Sequence, residues 1–347
     1  MYKTRTDTAV VVLSYNGRKY HEEFFPLLVA ESEGLYDVVL IDNASTDDTR
    51  SYVEQHFPSV KIIHLPVNKG FTGGYAAGIE QIDAAYLVLL SADFEVSPGW
   101  FRPMHSFMEE RPDVAVVQPK ILYQREKHMF EYAGAAGGFM DGLGYPFCRG
   151  RIFFTLEEDK QQYQEPIECF WASGGCFFIR AELFRAFHGL EPDFFAHMEE
   201  IDLCWRLKNA GHKVYCIPQS QVYHVGGSVI SYGSPQKAYL NFRNGLFMLI
   251  KNYGTGELLW KLPVRLLLDV VAAWKGLLSG NTGEFMAILR AHLHFMKGLP
   301  LFLKKRRAAK AQRSTPNRTG IYKRSIVWDY FIRGRRTFDQ LDTTRFR

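Results

Sequence analysis

The first 120 residues alternate between short apolar runs and longer stretches with helical spacing. The apolar runs occupy residues 9–13, 36–41, 60–65, 85–90 and 114–117, and the helical stretches occupy 19–30, 47–56, 72–82 and 98–110. Strands that alternate with helices form a parallel sheet with helices on both faces. The runs are continuously apolar, as in strands that are buried on both sides. The sequence therefore predicts an α/β fold with a mostly parallel sheet.

A polar, turn-forming cluster follows four of these apolar runs. The clusters read SYNG at 14–17, DNAS at 42–45, NKGF at 68–71 and SAD at 91–93. Ligands of open α/β sheets bind beyond the carboxyl ends of the strands. We therefore expect these four clusters to form a binding site at one edge of the sheet.

The composition is that of a globular chain. It has 347 residues, of which 47% are hydrophobic and 23% charged, so disorder is excluded as a general description. Five cysteines without a CxxC pair argue against a disulfide framework or a zinc site. The N-terminal apolar stretch is too short for a signal peptide, and no apolar run reaches 18 residues. These features predict a cytoplasmic protein.

The C-terminal third differs from the rest in pattern and charge. Apolar residues recur on one face of a predicted helix over 262–278, and a second such segment covers 285–303. Residues 301–347 contain 14 Lys and Arg against three Asp, in a chain whose net charge is +5. Basic blocks bind nucleic acid, anionic lipid or a protein partner. We predict a domain over 1–250, amphipathic helices over 251–303 and a basic tail over 304–347.

Between these parts the sequence is less regular. The glycine-rich stretch 134–150 is expected to be irregular, and 214–217 is expected to be a strand. Helices are predicted over 180–187, 199–209 and 236–251.

Two carboxylates follow the strand that ends near residue 90. Asp93 and Glu95 are two residues apart, so in an extended chain both side chains point the same way. Hard cations such as Mg²⁺ take carboxylate oxygens together with substrate phosphates. The alternative is a solvated loop before the next helix. Asp42, at the end of a buried strand, needs polar partners, whereas residues 45–48 also fit a capped turn.

The segment HMEEIDLCWR at 197–206 places three acids at a helix start. Acids there complement the helix dipole, which is the structural explanation. The functional one is a general base, because the same dipole keeps a carboxylate ionised. Asp202 and Arg206 are four residues apart and could pair. An isolated His224 stands before two glycines, and NKGFTGG at 68–74 offers close backbone approach to an anion.

Seven segments occur in an order typical of one family. They read VVVLSYNG, VLIDNASTDDT, NKGFTGGYAAGI, YLVLLSADFEVSPGW, ASGGCFFIR, FFAHMEEIDLCWRLKNAGHKV and VYHVGGS. Over residues 8 to about 245 the chain resembles the family-2 glycosyltransferases of the GT-A fold, particularly their bacterial rhamnosyltransferase-like branch. The resemblance implies transfer of a sugar from a nucleotide diphosphate, with Mg²⁺ or Mn²⁺ as cofactor.

The resemblance also implies roles for residues on the donor side. Asp42 matches the carboxylate that contacts the nucleotide base. The positions that surround the nucleotide are Tyr15, Asn16, Asn68 and Gly70.

On the metal side, Ala92 and Asp93 match the end of the DxD motif, and Asp93, His224 and Glu95 are the metal candidates. Ser91 replaces the first acid of that motif. The metal would then be held mainly by Asp93 and the diphosphate.

On the acceptor side, the resemblance places Gly174, Gly175 and Trp171. Glu199 and Glu200 match the family's Glu-Asp pair, whose second acid is the base, so here Glu200 replaces aspartate. Glu199 is the second candidate. Direct displacement by the acceptor oxygen would invert the anomeric configuration.

The expected partners are a nucleotide-sugar donor, either dTDP-rhamnose or a UDP-sugar, and a glycan or lipid-linked acceptor of cell-envelope polysaccharide biosynthesis. The C-terminal helices fit a peripheral anchor on an anionic membrane, or packing on the domain or on a second copy in a homo-oligomer; both interpretations stay open. No nucleic acid partner is expected. The alternatives are a nucleotidyltransferase, against which LSYNGRKY at 13–20 argues, and a non-enzymatic polyanion-binding protein.

Overall fold

The computed structural model of the chain describes residues 1–226 and 233–347, and the end of the VYHVGGS segment lies outside them. The described residues form seventeen strands: β1 (Tyr2–Lys3), β2 (Thr8–Ser14), β3 (Asp37–Asp42), β4 (Lys61–His64), β5 (Ile82–Asp83), β6 (Tyr86–Ser91), β7 (Phe94–Val96), β8 (Val114–Tyr123), β9 (Glu126–Phe130), β10 (Gly138–Asp141), β11 (Pro146–Cys148), β12 (Arg151–Ile152), β13 (Thr155–Leu156), β14 (Ile167–Cys169), β15 (Cys176–Arg180), β16 (Lys213–His224) and β17 (Ile321–Tyr322).

The same described residues form ten α-helices: α1 (Arg18–Ala30), α2 (Thr49–His56), α3 (Gly70–Ile79), α4 (Phe101–Glu110), α5 (Ala181–Ala186), α6 (Glu199–Asn209), α7 (Pro235–Asn252), α8 (Thr255–Leu278), α9 (Thr282–Ala311) and α10 (Ile326–Phe331). Single 3₁₀ turns cover Pro192–Phe194, Phe338–Gln340 and Thr343–Arg345.

The main sheet has the strand order β14-β16-β8-β15-β6-β2-β3-β4, with β7 paired to β16 and β9 paired to β8. Strands β4, β3, β2 and β6 are mutually parallel, and β8 is parallel to β16. Six of the ten strands share one direction and four are reversed. Strand β15 runs antiparallel to β6 and β8, β14 and β7 run antiparallel to β16, and β9 runs antiparallel to β8. The predicted α/β fold with a mostly parallel sheet and a helical C-terminal region is confirmed.

The sheet is buried on both faces, as its continuous apolar runs predict. Ala9 and Val11 of β2 belong to one core cluster, whereas Val10 and Val12 belong to a second cluster. Alternate side chains of a strand point to opposite faces, so each cluster fills one side of the sheet. Helices cover both faces and leave the strand ends as the place where polar side chains collect.

The glycine-rich stretch 134–150 is more regular than predicted. It contains β10 and β11, which join β12, β13 and β17 in a second, five-stranded sheet. The expectation of irregular structure there was wrong for these two strands. Strand β10 also pairs in parallel with β17, where residues 321–322 lie opposite Met140 and Asp141. A strand whose partner lies so far along the chain leaves no local signal.

Several predicted elements are longer or displaced. The strand expected over 214–217 continues to His224, so His224 stands at a strand end. The helix predicted from residue 262 begins at Thr255, and the last one continues to Ala311. The predicted third helix ends at Ile79, because residues 82–83 form β5 instead. No described helix is both long enough and apolar enough to span a membrane.

A buried ionic network ties the C-terminal helices to the α/β part. Asp202 of α6 accepts hydrogen bonds from Arg206 Nε at 2.9 Å, Lys251 Nζ at 2.7 Å and Asn252 Nδ2 at 2.8 Å. Lys251 also binds Glu191 at 2.7 Å. Although burial alone would raise the pKa of Asp202, Lys251 and Arg206 lower it. The predicted pairing of Asp202 with Arg206 is part of this larger network.

We expect Lys251→Met to lower the free energy of unfolding by about 3–5 kcal/mol, because it leaves Asp202 and Glu191 buried without a shared cation. Urea denaturation measures the change. The matched control is Lys213→Met, whose partner Asp113 lies 2.6 Å away in an exposed pair; its loss should stay below about 1 kcal/mol. Equal small losses in both variants would contradict the importance of the network.

Candidate functional site

Three loops leave the same edge of the main sheet. Ser14 at the end of β2 pairs with Asp42 at the end of β3, and Leu13 pairs with Ser91 at the end of β6. Because these strands are parallel, the segments that follow them begin side by side. The structure thus brings three of the four predicted polar clusters together, and the fourth follows β4 beside β3.

Asp42 is held as a buried, ionised carboxylate. Its side chain is 1% exposed, its Oδ1 accepts the backbone N–H of Ser45 at 3.0 Å, and His64 Nδ1 lies 2.8 Å from Oδ2. Burial alone would raise the pKa of Asp42, but Ser45 and His64 lower it below the ordinary value. An anionic acceptor at this edge suits the N–H groups of a nucleotide base.

Asn16 joins the first two loops. Its φ of 52° is left-handed, its Oδ1 accepts the backbone N–H of Thr46 at 2.8 Å, and its own N–H donates to Ser45 Oγ at 3.0 Å. Tyr15 beside it is 49% exposed. The structure therefore gives Asn16 a loop-bridging position, and leaves the Tyr15 ring accessible to a ligand.

Asn43, within the predicted cluster at 42–45, organises the loop that contains Asn68 and Gly70. Its Nδ2 donates to Asn68 Oδ1 at 3.0 Å and to the Gly70 carbonyl at 3.1 Å. Gly70 has a φ of +70°, and a Cβ there would lie 2.6 Å from the ring of Phe195. Phe195 precedes α6, so this contact joins the nucleotide-side loop to the segment that carries Glu199.

Asp93, in the turn after β6, lies next to His224 at the end of β16. Asp93 is 6% exposed, and its Oδ2 lies 3.1 Å from His224 Nε2. Glu131, which the sequence analysis missed, places Oε1 at 3.0 Å from His224 Nδ1. Burial alone would lower the pKa of His224, but Glu131 and Asp93 raise it to about 10. Ala92 is partly buried in the same turn.

The structure does not bring Glu95 to this pair. Its backbone pairs with Tyr223, and its carboxylate binds Lys127 at 2.6 Å. Among residues 1–226 and 233–347, one cluster of three potential ligand side chains lies within metal-binding range, formed by Asp7, His105 and Glu109. Asp7 precedes β2, so that cluster lies at the amino ends of the strands, away from Asp93.

Glu199 and Glu200 begin helix α6, with Glu199 buried and Glu200 partly buried. Their Oε2 atoms have no hydrogen-bond partner in the described part of the chain. Burial, together with Glu200, raises the pKa of Glu199 well above its ordinary value, and burial raises the pKa of Glu200 to about 7. A carboxylate with a pKa near neutrality is suited to accept a proton from a substrate.

The segment before α6 has an unusual backbone. His197 and Met198 have φ values of 70° and 72°, a region that residues other than glycine rarely occupy. Asn244 of α7 binds the carbonyls of Phe194, Ala196 and His197 at 2.8–3.0 Å. A side chain from α7 therefore holds the strained turn that aims Glu199 and Glu200.

The Gly174-Gly175 turn brings the two halves of the site together. A Cβ at Gly174 would stand 3.4 Å from Glu200 Cβ, whereas one at Gly175 would collide with the ring of Phe94. Phe94 in turn stacks on His224, with ring centroids 4.3 Å apart. The Gly174-Gly175 turn and Phe94 thus lie between Glu200 on one side and the pair of Asp93 and His224 on the other.

Trp171 is not an open surface at this site. It is 5% exposed, and its indole N–H donates to the carbonyl of Phe139 at 2.8 Å. The structure uses it to pack β10 against the main sheet, so a contact with an acceptor stays a prediction.

The donor set around Asp93 fits a divalent cation. Asp93 offers a carboxylate there, and His224 would become a ligand only when a bound cation displaces its Nε2 proton, because without a cation the raised pKa keeps both ring nitrogens protonated. Phosphate oxygens of a ligand could complete the coordination of Mg²⁺ or Mn²⁺. Glu131 behind His224 matches the carboxylate that commonly orients a metal-bound histidine. The residues present therefore fit the predicted cofactor, with Glu95 outside the group.

Known glycosyltransferases are similar to the chain in sequence. N-acetylglucosaminyl-diphospho-decaprenol L-rhamnosyltransferase of Mycobacterium tuberculosis is 27% identical over 234 residues, which cover 62% of this chain and 75% of the relative. The low-salt glycan biosynthesis hexosyltransferase Agl10 of Haloferax volcanii is 21% identical, over 69% of this chain and 74% of its own length.

Two solved structures share the fold. TarS 1-349 of S. aureus in complex with UDP-GlcNAc aligns with a TM-score of 0.55 and 15% identity, over 88% of both chains. GalNAc-T7 with UDP, GalNAc and Mn²⁺ aligns with a TM-score of 0.56 and 17% identity. It covers 71% of this chain, which spans about half of that protein.

A family profile assigns the chain to a family. The profile of glycosyl transferase family 2 matches residues 9–187, more than half of the chain. This range contains β2 to β15 and hence Asp42, Asp93 and the Gly174-Gly175 turn. The protein therefore belongs to glycosyl transferase family 2 and has a GT-A-like fold.

Proposed function

We propose that the protein is an inverting, metal-dependent transferase that moves a sugar from a nucleotide diphosphate to an acceptor hydroxyl. The observation that carries this proposal is the Gly174-Gly175 turn. The turn lies beside Glu200 on one side and, through Phe94 and His224, is linked to Asp93 on the other. This proximity supports the proposal, because displacement at a sugar carbon requires a proton acceptor and a diphosphate-binding group close to each other.

The donor would lie along the edge formed by the first three loops. Asp42 would accept a hydrogen bond from the base, and Tyr15, Asn16, Asn68 and Gly70 would surround the nucleotide. The rhamnosyltransferase among the relatives favours dTDP-rhamnose, whereas the UDP-GlcNAc complex of TarS favours a UDP-sugar. We retain both donors.

Asp93 and His224 would hold Mg²⁺ or Mn²⁺ against the donor diphosphate. The bound cation would neutralise the negative charge that develops on the leaving phosphate. Glu131 acts on this pair as a positioning residue, because it fixes the ring of His224 from the other nitrogen.

Glu200 would remove the proton of the acceptor hydroxyl while that oxygen attacks the anomeric carbon. The bond from the anomeric carbon to the diphosphate oxygen breaks, and its electron pair leaves with the nucleoside diphosphate. Because attack and departure occur on opposite faces, one displacement inverts the configuration. Family membership favours this reaction over nucleotidyl transfer.

The acceptor would enter beside Gly174, Gly175 and Trp171. The name of the mycobacterial relative describes a sugar on a lipid diphosphate as its acceptor. By analogy we propose a lipid-linked glycan here, handled at the cytoplasmic face of a membrane.

We expect Glu200→Gln to lower turnover by about 10²–10⁴-fold, because the amide cannot accept the hydroxyl proton. Donor affinity, measured by calorimetry, should change little. The matched control is Glu126→Gln, which makes the same substitution at an exposed position. Near-normal turnover in Glu200→Gln, with a large loss in Glu199→Gln, would move the base to Glu199.

The turnover of the wild-type protein should depend on pH through Glu200. The pKa of Glu200 is raised to about 7, so the carboxyl is protonated and inactive as a base below that pH. We expect turnover to rise as pH increases through about 7 and then to level off. A rate that is unchanged across this range in the wild type would contradict the assignment.

We expect Asp93→Asn to weaken Mn²⁺ binding in the presence of a nucleoside diphosphate by at least about tenfold. Glu95→Gln should have a smaller effect, because Glu95 binds Lys127 instead. Calorimetric titration with Mn²⁺ compares the two variants. A larger loss in Glu95→Gln than in Asp93→Asn would reverse the roles of these carboxylates.

A further inference from the structure

Helix α8 has its polarity reversed relative to an ordinary helix of a water-soluble domain. Its buried positions are Lys261, Arg265, Asp269, Ala273 and Gly276. Its exposed large side chains are apolar, each 38–85% exposed: Leu259, Trp260, Val264, Leu267, Val270, Val271, Trp274 and Leu278. A surface helix normally turns its apolar stripe to the core, so this outer stripe requires an explanation.

The inward charges of α8 are fully paired, which makes the reversed orientation a stable one. Arg265 binds Asp269 at 3.0 Å and the Gly144 carbonyl at 3.2 Å, and it stacks on the ring of Tyr145. Lys261 binds Glu257 at 2.9 Å. Leucines at the edge of the helix also pack on the core: Leu258, Leu262 and Leu266. Rotating α8 would bury its outer apolar residues only by exposing or unpairing these groups.

Helix α9 carries a parallel feature with a basic border. Met286, Leu289, Leu293 and Met296 are 44–61% exposed and follow helical spacing. Exposed basic residues accompany this stripe: Arg290, Lys297, Lys304 and Arg307. The first three are seven residues apart, so they form a line along the same helix.

Helices α8, α9 and α10 meet beside their exposed apolar residues. Trp274 of α8 contacts Phe285 of α9, with ring centroids 5.9 Å apart. Lys275 Nζ lies 4.5 Å from the ring of Phe331 in α10. The outer apolar face consists of the exposed apolar residues of α8 and α9 named above, together with Trp328 and Phe331 of α10. Three of the six tryptophans in the chain lie on it, namely Trp260, Trp274 and Trp328, whereas the other three are buried.

We propose that the outer apolar face lies on an anionic lipid bilayer, with α8 and α9 in the plane of the membrane. Amphipathic helices with a basic border and tryptophans bind at the boundary between headgroups and acyl chains. A second copy of the chain fits less well. A two-fold interface brings the same patch of both copies together, so the basic residues of both copies would be gathered in one interface.

This orientation also explains where the acceptor would arrive, which rests on the proposed function. Ala287 and Ala291 on the inner side of α9 pack on Tyr239 and Leu240 of α7. Asn244 of the same helix holds the turn before Glu199. The base candidates are therefore one helix layer from the bilayer.

The test is co-flotation of the full chain with phosphatidylcholine–phosphatidylglycerol vesicles. We expect Leu267→Glu/Val271→Glu/Trp274→Glu to bind at least about tenfold more weakly, because one lost apolar side chain can account for that factor. The matched control is Gln55→Glu/Ser59→Glu/Gln81→Glu, with three new charges at exposed positions elsewhere. The control should float like the wild type.

A second variant, Arg290→Gln/Lys297→Gln/Lys304→Gln, tests the electrostatic part without changing the apolar stripe. We expect about fivefold weaker binding for each basic residue removed, and no difference from wild type on pure phosphatidylcholine. Equal flotation of the wild type and both variants, or none by the wild type, would overturn the proposal. So would sedimentation showing that the wild type is a dimer that the glutamate variant dissociates. These readouts need no turnover, so they fail independently of the proposed reaction.

Discussion

The arrangement of this protein depends on the ion pairs of the buried Asp202 carboxylate. Asp202 lies on the same helix as Glu199 and Glu200, and it stays ionised because Arg206 and Lys251 surround it. Lys251 comes from α7 and extends the network to Glu191, which Lys305 of α9 also contacts. A single set of charges thus fixes the base candidates, the turn before them and the C-terminal helices relative to each other.

Most of the α/β framework could be predicted from the sequence, for a simple physical reason. Strands that are buried on both faces must be continuously apolar, and such runs stand out between helices with polar faces. The chemistry of Asp42 and Asp93 was visible because parallel strands deliver their carboxyl ends to one edge. Because these residues directly follow predicted strands, the sequence already indicated that they would lie at the same edge of the sheet.

The remaining parts depend on contacts between distant residues. Glu131 ends no predicted strand, and only the fold brings it to His224. Nothing in the sequence indicates that Phe195 packs against Gly70, because only the fold brings their loops together. The apolar spacing of α8 was evident from the sequence, but spacing does not say which face turns inward. That choice is made by Tyr145 and the Gly144 carbonyl, which receive Arg265.

The reversed polarity of α8 has a practical consequence for handling the protein. Ion pairs, a hydrogen bond to a backbone carbonyl and the packing of a few leucines attach this helix to the domain. Its large exposed apolar surface faces away from the domain. A mild detergent would coat that outward surface without competing for the contacts that hold the helix. If the outer apolar face lies on lipid as proposed, a detergent could release the protein without unfolding it, because the detergent would act on the side of α8 that faces away from the domain.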